Sequence, residues 1–366
     1  MSIWKWGERF STLPAPYRLT LGEGNTPLVP SRSIGPKGGF SRLWFKLEMV
    51  NPSGSYKDRF AACAVSHMLA TGKRRCLATS SGNTGAALAA YCAAAGISCE
   101  IAIVETAPLQ KLTQMLAYGA TLHRVRGFGL DQHVSHAVFS ALEENSRHPE
   151  SALQISAFRF SPDGMTGVQS VGYELLEQTR GELDHVFCPA GGGGLVVAVA
   201  RAFQQSASDT SGGQGALPRV EVVQPEGNDT IVTPLREGAD SARDIQCTSE
   251  ISGLQVPNDI DGTAALESAR ATGGSGQLVT DEQVWEVQQR LAREEGIFTE
   301  PAGATAVAGA LNALAEGRLD PNALIVCMVT GSGFKDAKTV ERMAGKETPP
   351  LVGLDEFTRE LARVSS

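Results

Sequence analysis

One lysine follows a tight turn in an arrangement that suits chemistry on a carbonyl group. Residues 51–59 read Asn-Pro-Ser-Gly-Ser-Tyr-Lys-Asp-Arg and precede an apolar run at 60–70. Pro52 and Gly54 favour a turn and the serines can cap a helix, so Lys57 is predicted on a first helical turn. A rigid, partly desolvated amine can lose its proton and form an imine with a carbonyl cofactor. A lysine in any chain is more often simply solvated, and this motif alone does not decide between the two.

A second turn has the composition of an anion site. Ser81-Gly-Asn-Thr-Gly85 lies between a predicted strand and an alanine-rich helix. Backbone N–H groups at a helix start would face an anion, and the carboxylate of a small substrate suits this geometry. Asn83 could donate a hydrogen bond to a phenolic or hydroxyl oxygen. Taken alone, the segment is more typical of a capped helix that follows a tight turn.

Two further glycine-rich turns end predicted strands. Gly191, Gly192, Gly193 and Gly194 are consecutive and precede Leu195. Four glycines lose much conformational entropy on folding, so a purely structural turn rarely uses them, whereas a phosphate in a nest of N–H groups requires such close approach. The turn is neither a Walker loop nor a spaced dinucleotide fingerprint. The other turn, Thr330-Gly-Ser-Gly, places a hydroxyl that could bond a ring nitrogen.

The elements that must position these turns alternate between strands and helices. Apolar runs such as 323–329 suit central parallel strands. The pattern predicts an α/β fold of two doubly wound units with the site at the carboxyl ends of their strands. We expect a large domain from residues 1–48 with 160–366 and a smaller one from 49–159. Residues 206–217 are expected to form a Ser/Gly-rich connector.

Composition excludes several function classes. The chain has 366 residues, 42% hydrophobic and 20% charged, which is typical of a soluble globular protein. A net charge of −8 gives no electrostatic support for nucleic-acid or membrane partners. No apolar run approaches the roughly 20 residues that a membrane span needs, and residues 1–18 have no apolar signal core, so a cytoplasmic location is expected. The seven cysteines contain no C-x-x-C and are interpreted as reduced packing residues, with no metal site expected.

The order of the four turns resembles that of the tryptophan-synthase-β-like (fold type II) pyridoxal-phosphate enzymes. The resemblance extends from Gly22 to Lys335, and within the family it is greatest to the threonine synthases. The matching stretches are Gly22-Glu-Gly-Asn-Thr-Pro-Leu28, the lysine motif at 51–59, Lys111-Leu-Thr-Gln-Met-Leu-Ala-Tyr-Gly-Ala120 and Thr330-Gly-Ser-Gly-Phe-Lys-Asp336.

The resemblance implies a role for each of these positions, with pyridoxal 5′-phosphate in the cleft between the two domains. Lys57 would form the Schiff base and later shuttle protons. The remaining cofactor contacts would come from Asn83 on the 3′-oxygen, Gly191, Gly192, Gly193, Gly194 and Leu195 around the phosphate, and Thr330 at the pyridine nitrogen. A neutral partner at that nitrogen favours elimination and replacement over transamination. Ser81, Gly82 and Thr84 would hold a substrate carboxylate.

The family's reactions leave alternatives open. The resemblance implies a threonine synthase-like lyase with a phosphorylated amino-acid substrate, which would convert O-phospho-L-homoserine and water to L-threonine and phosphate by β,γ-elimination and replacement. Lys111 and Arg159 are the candidate phosphate ligands. The loop at 156–164 departs from the expected Asn-Pro-x-Arg-x-Glu-Gly pattern, and the tetraglycine turn is closer to that of the dehydratases. A cysteine or cysteate synthase-like β-replacement enzyme, a serine/threonine dehydratase, and a non-catalytic binding protein therefore remain alternatives. The family is usually homodimeric.

Overall fold

The larger of two sheets is built around two strands that are buried along their whole length. A computed structural model describes residues 2–209, 216–345 and 348–363. The larger sheet has six strands in the order β1-β2-β10-β7-β8-β9, and only β1 is antiparallel to its neighbour. Its strands are β1 (Leu28–Pro30), β2 (Leu43–Leu47), β7 (His185–Pro189), β8 (Arg219–Pro225), β9 (Gly276–Val279) and β10 (Ile325–Val329).

The smaller sheet is wholly parallel, with four strands in the order β5-β4-β3-β6. Its strands are β3 (Arg75–Thr79), β4 (Ser98–Ile103), β5 (Thr121–Arg124) and β6 (Ser151–Leu153). Both sheets are parallel apart from the edge strand β1, and helices connect their strands, which confirms the predicted α/β fold class. The division into residues 1–48 with 160–366 and 49–159 stays a prediction.

Helices connect the strands of both sheets, as the alternating pattern predicts. They are α1 (Gly7–Phe10), α2 (Ile34–Gly38), α3 (Lys57–Ala70), α4 (Asn83–Ala95), α5 (Leu109–Ala117), α6 (Gln132–Ser146), α7 (Pro162–Thr166), α8 (Ser170–Gln178), α9 (Gly194–Asp209), α10 (Val232–Glu237), α11 (Gly262–Ala271), α12 (Asp281–Glu295), α13 (Pro301–Ala315), α14 (Ala337–Ala344) and α15 (Leu354–Arg363). Among the described residues, no helix is both long and apolar enough to cross a membrane.

Three sequence expectations about elements need correction. The residue pattern at 165–179 predicts one continuous helix, whereas the structure has two helices, α7 and α8, joined by a 3₁₀ turn at Gly167–Gln169. The stretch 225–276, which has no clear periodicity in the sequence, contains α10 and α11 and ends at Gly276, the first residue of the edge strand β9. Of the expected connector at 206–217, residues 206–209 belong to α9, and residues 210–215 lie outside the described part of the chain.

The central strands hold the site by bringing chain ends together. Strand β10 runs parallel to β2, with Ile325 beside Leu43 and Val329 beside Leu47. On its other side β10 pairs with β7, and all five residues of each strand are buried. Because β7 and β10 are parallel neighbours, the glycine turn after β7 and the Thr-Gly-Ser-Gly turn after β10 leave the same edge of the sheet.

A buried group of four charges fixes α3 to the large sheet. We call Arg59, Lys46, Glu48 and Glu174 the Arg59 cluster. The Arg59 guanidinium lies 2.7 Å from carboxylate oxygens of both Glu48 and Glu174, and Lys46 Nζ lies 2.7 Å from Glu174. Burial alone would raise the pKa of Glu174, but Arg59 and Lys46 outweigh it and lower this pKa to about 2. Two positive and two negative charges therefore offset one another inside the protein.

Candidate active site

Lys57 is the first residue of α3, as the turn motif predicts. Its backbone N–H donates to Ser55 Oγ at 3.3 Å, and the helix has no other side-chain cap. The side chain is half-buried, and its Nζ donates to Ser156 Oγ at 2.7 Å. Nζ also lies 4.5 Å from the centre of the Tyr56 ring. Among the described residues, the hydroxyl of Ser156 is the hydrogen-bond acceptor of this amine, and no ion pair is assigned to it.

The tetraglycine turn forms a concave surface at the start of α9. A Cβ on Gly194 would lie 2.7 Å from Met165 Cε, and one on Gly193 would lie 2.8 Å from the Asp261 carbonyl oxygen. Gly193 also has a φ of 96°, which strongly favours glycine. Within the described chain, no acceptor is assigned to the backbone N–H groups of residues 191–196. These first N–H groups of a helix, together with the helix dipole, form an anion-binding surface.

Asp261 belongs to none of the sequence motifs described above, but the structure places it beside the tetraglycine turn. It precedes α11 and accepts hydrogen bonds from the backbone N–H groups of Phe158 at 2.7 Å and Arg159 at 3.1 Å. Burial raises the pKa of Asp261, and the charge of Lys57 opposes this. Its carboxylate connects the loop that carries Ser156, the partner of Lys57, to the tetraglycine turn.

The Ser81–Thr84 turn lies at the start of α4. Gly82 has no atom within 4 Å of where its Cβ would stand, which leaves space for a ligand. In the described chain, the hydroxyls of Ser81 and Thr84 have no hydrogen-bond partner. Asn83, in contrast, has a partner at the start of α13, because its Nδ2 donates to Glu300 Oε1 at 2.7 Å. The second N–H of this amide stays available to an acceptor in the cleft.

The strand end after β10 lies beside the lysine turn. The backbone N–H of Tyr56 donates to the Thr330 carbonyl oxygen at 3.0 Å, and Ser55 pairs with Gly331 in an isolated bridge. A Cβ on Gly331 would lie 2.2 Å from Glu300 Oε1 and 3.2 Å from Asn83 Nδ2. Glycine is therefore required where the Asn83–Glu300 pair crosses this strand end.

Two lysines and two buried carboxyl groups share the same end of the cleft. Burial lowers the pKa of Lys335, whose Nζ donates to Gln114 Oε1 at 2.8 Å. Burial raises the pKa of both Glu300 and Asp58 to about 7, and the charge of Lys335 opposes both shifts. Lys111 also acts on Glu300 by charge. We call Glu300, Asp58, Lys335 and Lys111 the Glu300 cluster.

Lys111 reaches across to the other side of the cleft. Its Nζ lies 3.1 Å from Asp336 Oδ2 and donates to Ser252 Oγ. Ser252 precedes Gly253, whose carbonyl oxygen would lie 3.2 Å from a Cβ on Gly191. This lysine of α5 therefore lies close to the loop that covers the tetraglycine turn.

Arg159 is the predicted ligand that the structure does not bring into this group. Its side chain is exposed, and its guanidinium carbon lies 5.6 Å from the centre of the Phe160 ring. Only its backbone N–H faces the site, through Asp261. Of the other predicted residues, Lys57 is linked through Ser156 to the loop beside Gly194, and Asn83 is linked through Glu300 to the turn at Gly331.

Comparison with known proteins agrees with this geometry. Residues 19–331 match the family model described as pyridoxal-phosphate dependent enzyme. The chain belongs to this family, and pyridoxal phosphate is its cofactor. The donor set is consistent with that assignment, because a phosphate needs the glycine cradle at α9 and an aldehyde needs an amine such as Lys57.

The names of similar proteins point to a narrower class of enzyme than the family model does. The chain is 31% identical to threonine synthase of Methanocaldococcus jannaschii, over 92% of this chain and 81% of the relative. It is 30% identical to threonine synthase of Mycobacterium tuberculosis strain H37Rv, over 88% of this chain and 84% of the relative.

Solved structures support the fold. Tomato threonine deaminase isoform 2 superposes with a TM-score of 0.72 at 20% identity, covering 93% of this chain and 92% of the other. Maize serine racemase gives a TM-score of 0.70 at 22% identity, covering 99% and 96%. The structure is therefore that of a fold type II pyridoxal-phosphate enzyme.

Proposed function

We propose that this enzyme is a threonine synthase-like lyase that converts O-phospho-L-homoserine and water to L-threonine and phosphate. The relatives named threonine synthase, at about 30% identity over most of the chain, support the proposal. The observation that carries it is the second cationic region of the cleft. Lys111 and Lys335 come from different parts of the chain and both act on Glu300 by charge. Together with the glycine cradle, they provide one anion site for a cofactor phosphate and another for a substrate phosphate.

The Ser81–Thr84 turn orients the substrate in this proposal. Its open N–H groups at the start of α4 bind the amino-acid carboxylate, and the hydroxyls of Ser81 and Thr84 add donors. Lys111 and Lys335 bind the phosphate at the other end of the substrate. Two fixed anion contacts place Cα and Cβ between them, close to Lys57.

Lys57 moves the protons. When bound, pyridoxal phosphate supplies an electron sink for negative charge next to the amino group. Lys57 Nζ, held by Ser156, removes protons at substrate Cα and Cβ. It returns one proton to Cγ after phosphate has left and one to Cα after water has added at Cβ. The two ammonium groups of Lys111 and Lys335 stabilise the negative charge that develops as phosphate leaves Cγ.

Product analysis tests this proposal. Cofactor-loaded protein given O-phospho-L-homoserine should release phosphate and L-threonine in equal amounts. Lys111→Ala should raise KM for this substrate about tenfold or more, because one charge-assisted contact is lost. Lys338→Ala is the matched control, since Lys338 is 83% exposed and pairs with Glu250. Phosphate release without threonine, or equal effects of both substitutions, would contradict the proposal.

A second candidate rests on Arg159. Because its guanidinium is exposed and its loop departs from the threonine synthase pattern, a β-replacement enzyme or a serine/threonine dehydratase is the alternative. Keto-acid release from serine or threonine would identify a dehydratase, and sulfide-dependent loss of an activated serine would identify a β-replacement enzyme. A non-catalytic binding protein would have no need of Lys57.

The assembly is also part of the proposal. We infer a cytoplasmic homodimer from the family resemblance, with the domain division at residues 48 and 160 as predicted. Light scattering of the purified protein should give twice the chain mass of 38.6 kDa. A monomer that retains full activity would contradict the dimer.

A further inference from the structure

Three cysteines that are distant in sequence meet in the core of the smaller sheet. Cys76 and Cys99 are register partners on the neighbouring strands β3 and β4, and Cys92 lies near the end of α4. The three Sγ atoms all lie within 4.8 Å of one another. Such a cluster is more than a lone buried thiol, because three soft ligands converge on one point.

The geometry points to three-sulfur coordination. A flat trigonal centre with metal–sulfur bonds of about 2.3 Å separates its sulfur atoms by about 4 Å, and a pyramidal centre separates them by less. The observed separations allow either arrangement. Structural zinc sites require four ligands, whereas the described residues offer three here. A soft ion that accepts three sulfur ligands is therefore a better match than zinc.

Burial decides which soft ion suits the site. Cys76 and Cys92 are fully buried and Cys99 is 7% exposed, within the hydrophobic core. Arg75, the nearest cation along β3, pairs with Glu100 at 2.7 Å. Residues 75 and 100 alternate with the cysteines and so point to the opposite face of the sheet. A charged complex would be costly here, whereas three thiolates around a trivalent ion form a neutral one.

We propose that Cys76, Cys92 and Cys99 form a binding site for a trivalent thiophilic ion of the arsenic(III) class. Arsenous acid would react with three thiols to give one As(S–Cys)₃ centre and three waters. Three As–O and three S–H bonds break, three As–S and three O–H bonds form, and the oxidation state of arsenic does not change. The charge of the protein also stays the same.

The site is separate from the catalytic cleft. Helix α4 starts at Asn83, in the cleft, and Cys92 lies near its other end. Cys76 and Cys99 are each the second residue of a parallel strand, whereas the cleft lies at the carboxyl ends of the strands. Cys99, at 7% exposure, is the least buried of the three cysteines.

The first test uses the cofactor-loaded protein with reduced thiols. After incubation with sodium arsenite and desalting, elemental analysis should find one arsenic atom per chain. X-ray absorption at the arsenic edge should show three sulfur neighbours and no oxygen. Fewer sulfur neighbours, or no retained arsenic, would overturn the proposal without any variant being made. Preferential retention of Cu(I) or Zn(II) from an equimolar mixture would also overturn it.

Substitutions locate the bound ion. Cys92→Ser should reduce retained arsenic at least tenfold, because two thiols cannot complete the centre. Cys63→Ser is the matched control, since Cys63 is also fully buried but lies outside the cluster. It should retain arsenic like the parent protein. If Cys92→Ser does not fold, Cys99→Ser at the more accessible edge replaces it. Equal retention by the cluster variant and the control would overturn the assignment.

Discussion

The Arg59 cluster and the Glu300 cluster are both built from buried charges, but they differ in how the charges are satisfied. In the Arg59 cluster, cations and carboxylates meet at 2.7 Å and the pKa of Glu174 falls to about 2. In the Glu300 cluster, Lys111 pairs with Asp336 at 3.1 Å, but no ion pair joins Lys335 to Glu300 or Asp58 among the described residues. Burial raises both carboxyl pKa values to about 7. Saturated charges stabilise a structure, whereas unsaturated ones remain free to bind a ligand or exchange a proton.

The largest expected effect is a loss of catalysis without a loss of stability, at the first residue of α3. Lys57→Ala should reduce turnover below detection, because in the described chain no other amine is hydrogen-bonded to Ser156. Its unfolding midpoint in urea should stay close to that of the parent protein. The near-visible absorption of reconstituted cofactor, which borohydride should bleach in the parent, should be lost. Retained turnover would remove Lys57 from the proposed role.

Breaking the Arg59 cluster should instead reduce the stability of the fold. Glu174→Ala leaves Arg59 and Lys46 without a shared partner and should lower the free energy of unfolding by about 3–5 kcal/mol. Glu177→Ala, three residues along the same helix, removes a half-exposed carboxylate that pairs with Lys5. That control should cost less than about 1 kcal/mol. Urea unfolding measures both, and similar losses would show that burial of the cluster has little energetic weight.

Glu300 provides a test through pH. Its folded pKa of about 7 lies above its ordinary value of 4.5, so its favourable contribution to folding is present below pH 4.5. This contribution is lost as pH rises through 7. Glu300→Gln should therefore be more stable than the parent at pH 8, by at most about 3 kcal/mol at 1.36 kcal/mol per pKa unit. The difference should vanish near pH 4.5. A pH-independent difference in melting temperature of the cofactor-free proteins would contradict this assignment.

The smallest expected effect concerns the glycine cradle. A Cβ on Gly192 would lie 3.5 Å from Val256 Cγ1, an ordinary contact, so Gly192→Ala is a suitable control. Gly192→Asp adds a negative charge beside the cofactor phosphate and should weaken cofactor binding about tenfold, or 1.4 kcal/mol. Titration of the near-visible absorption measures the affinity. Equal affinities for the two variants would place the phosphate elsewhere.

Sequence reasoning was effective where the signal is local. The turn before Lys57 and the start of α3 depend on neighbouring residues, so the motif at 51–59 predicted this helix start. Buried strands such as β10 are visible as apolar runs bounded by turns. The stretch 225–276 could not be interpreted because α10 is short and its surroundings are irregular.

The amino-acid sequence by itself determined the alternation of strands and helices, the position of Lys57 at a helix start and the glycine turns, because each follows from spacing along a few residues. Only the tertiary structure decided that Asn83 would meet Glu300, that Asp261 would hold the loop of Ser156, and that Arg159 would lie outside. These contacts join residues more than 100 positions apart or turn a side chain outward. The geometry of these contacts depends on how the two sheets pack against each other, and no local sequence pattern encodes that packing.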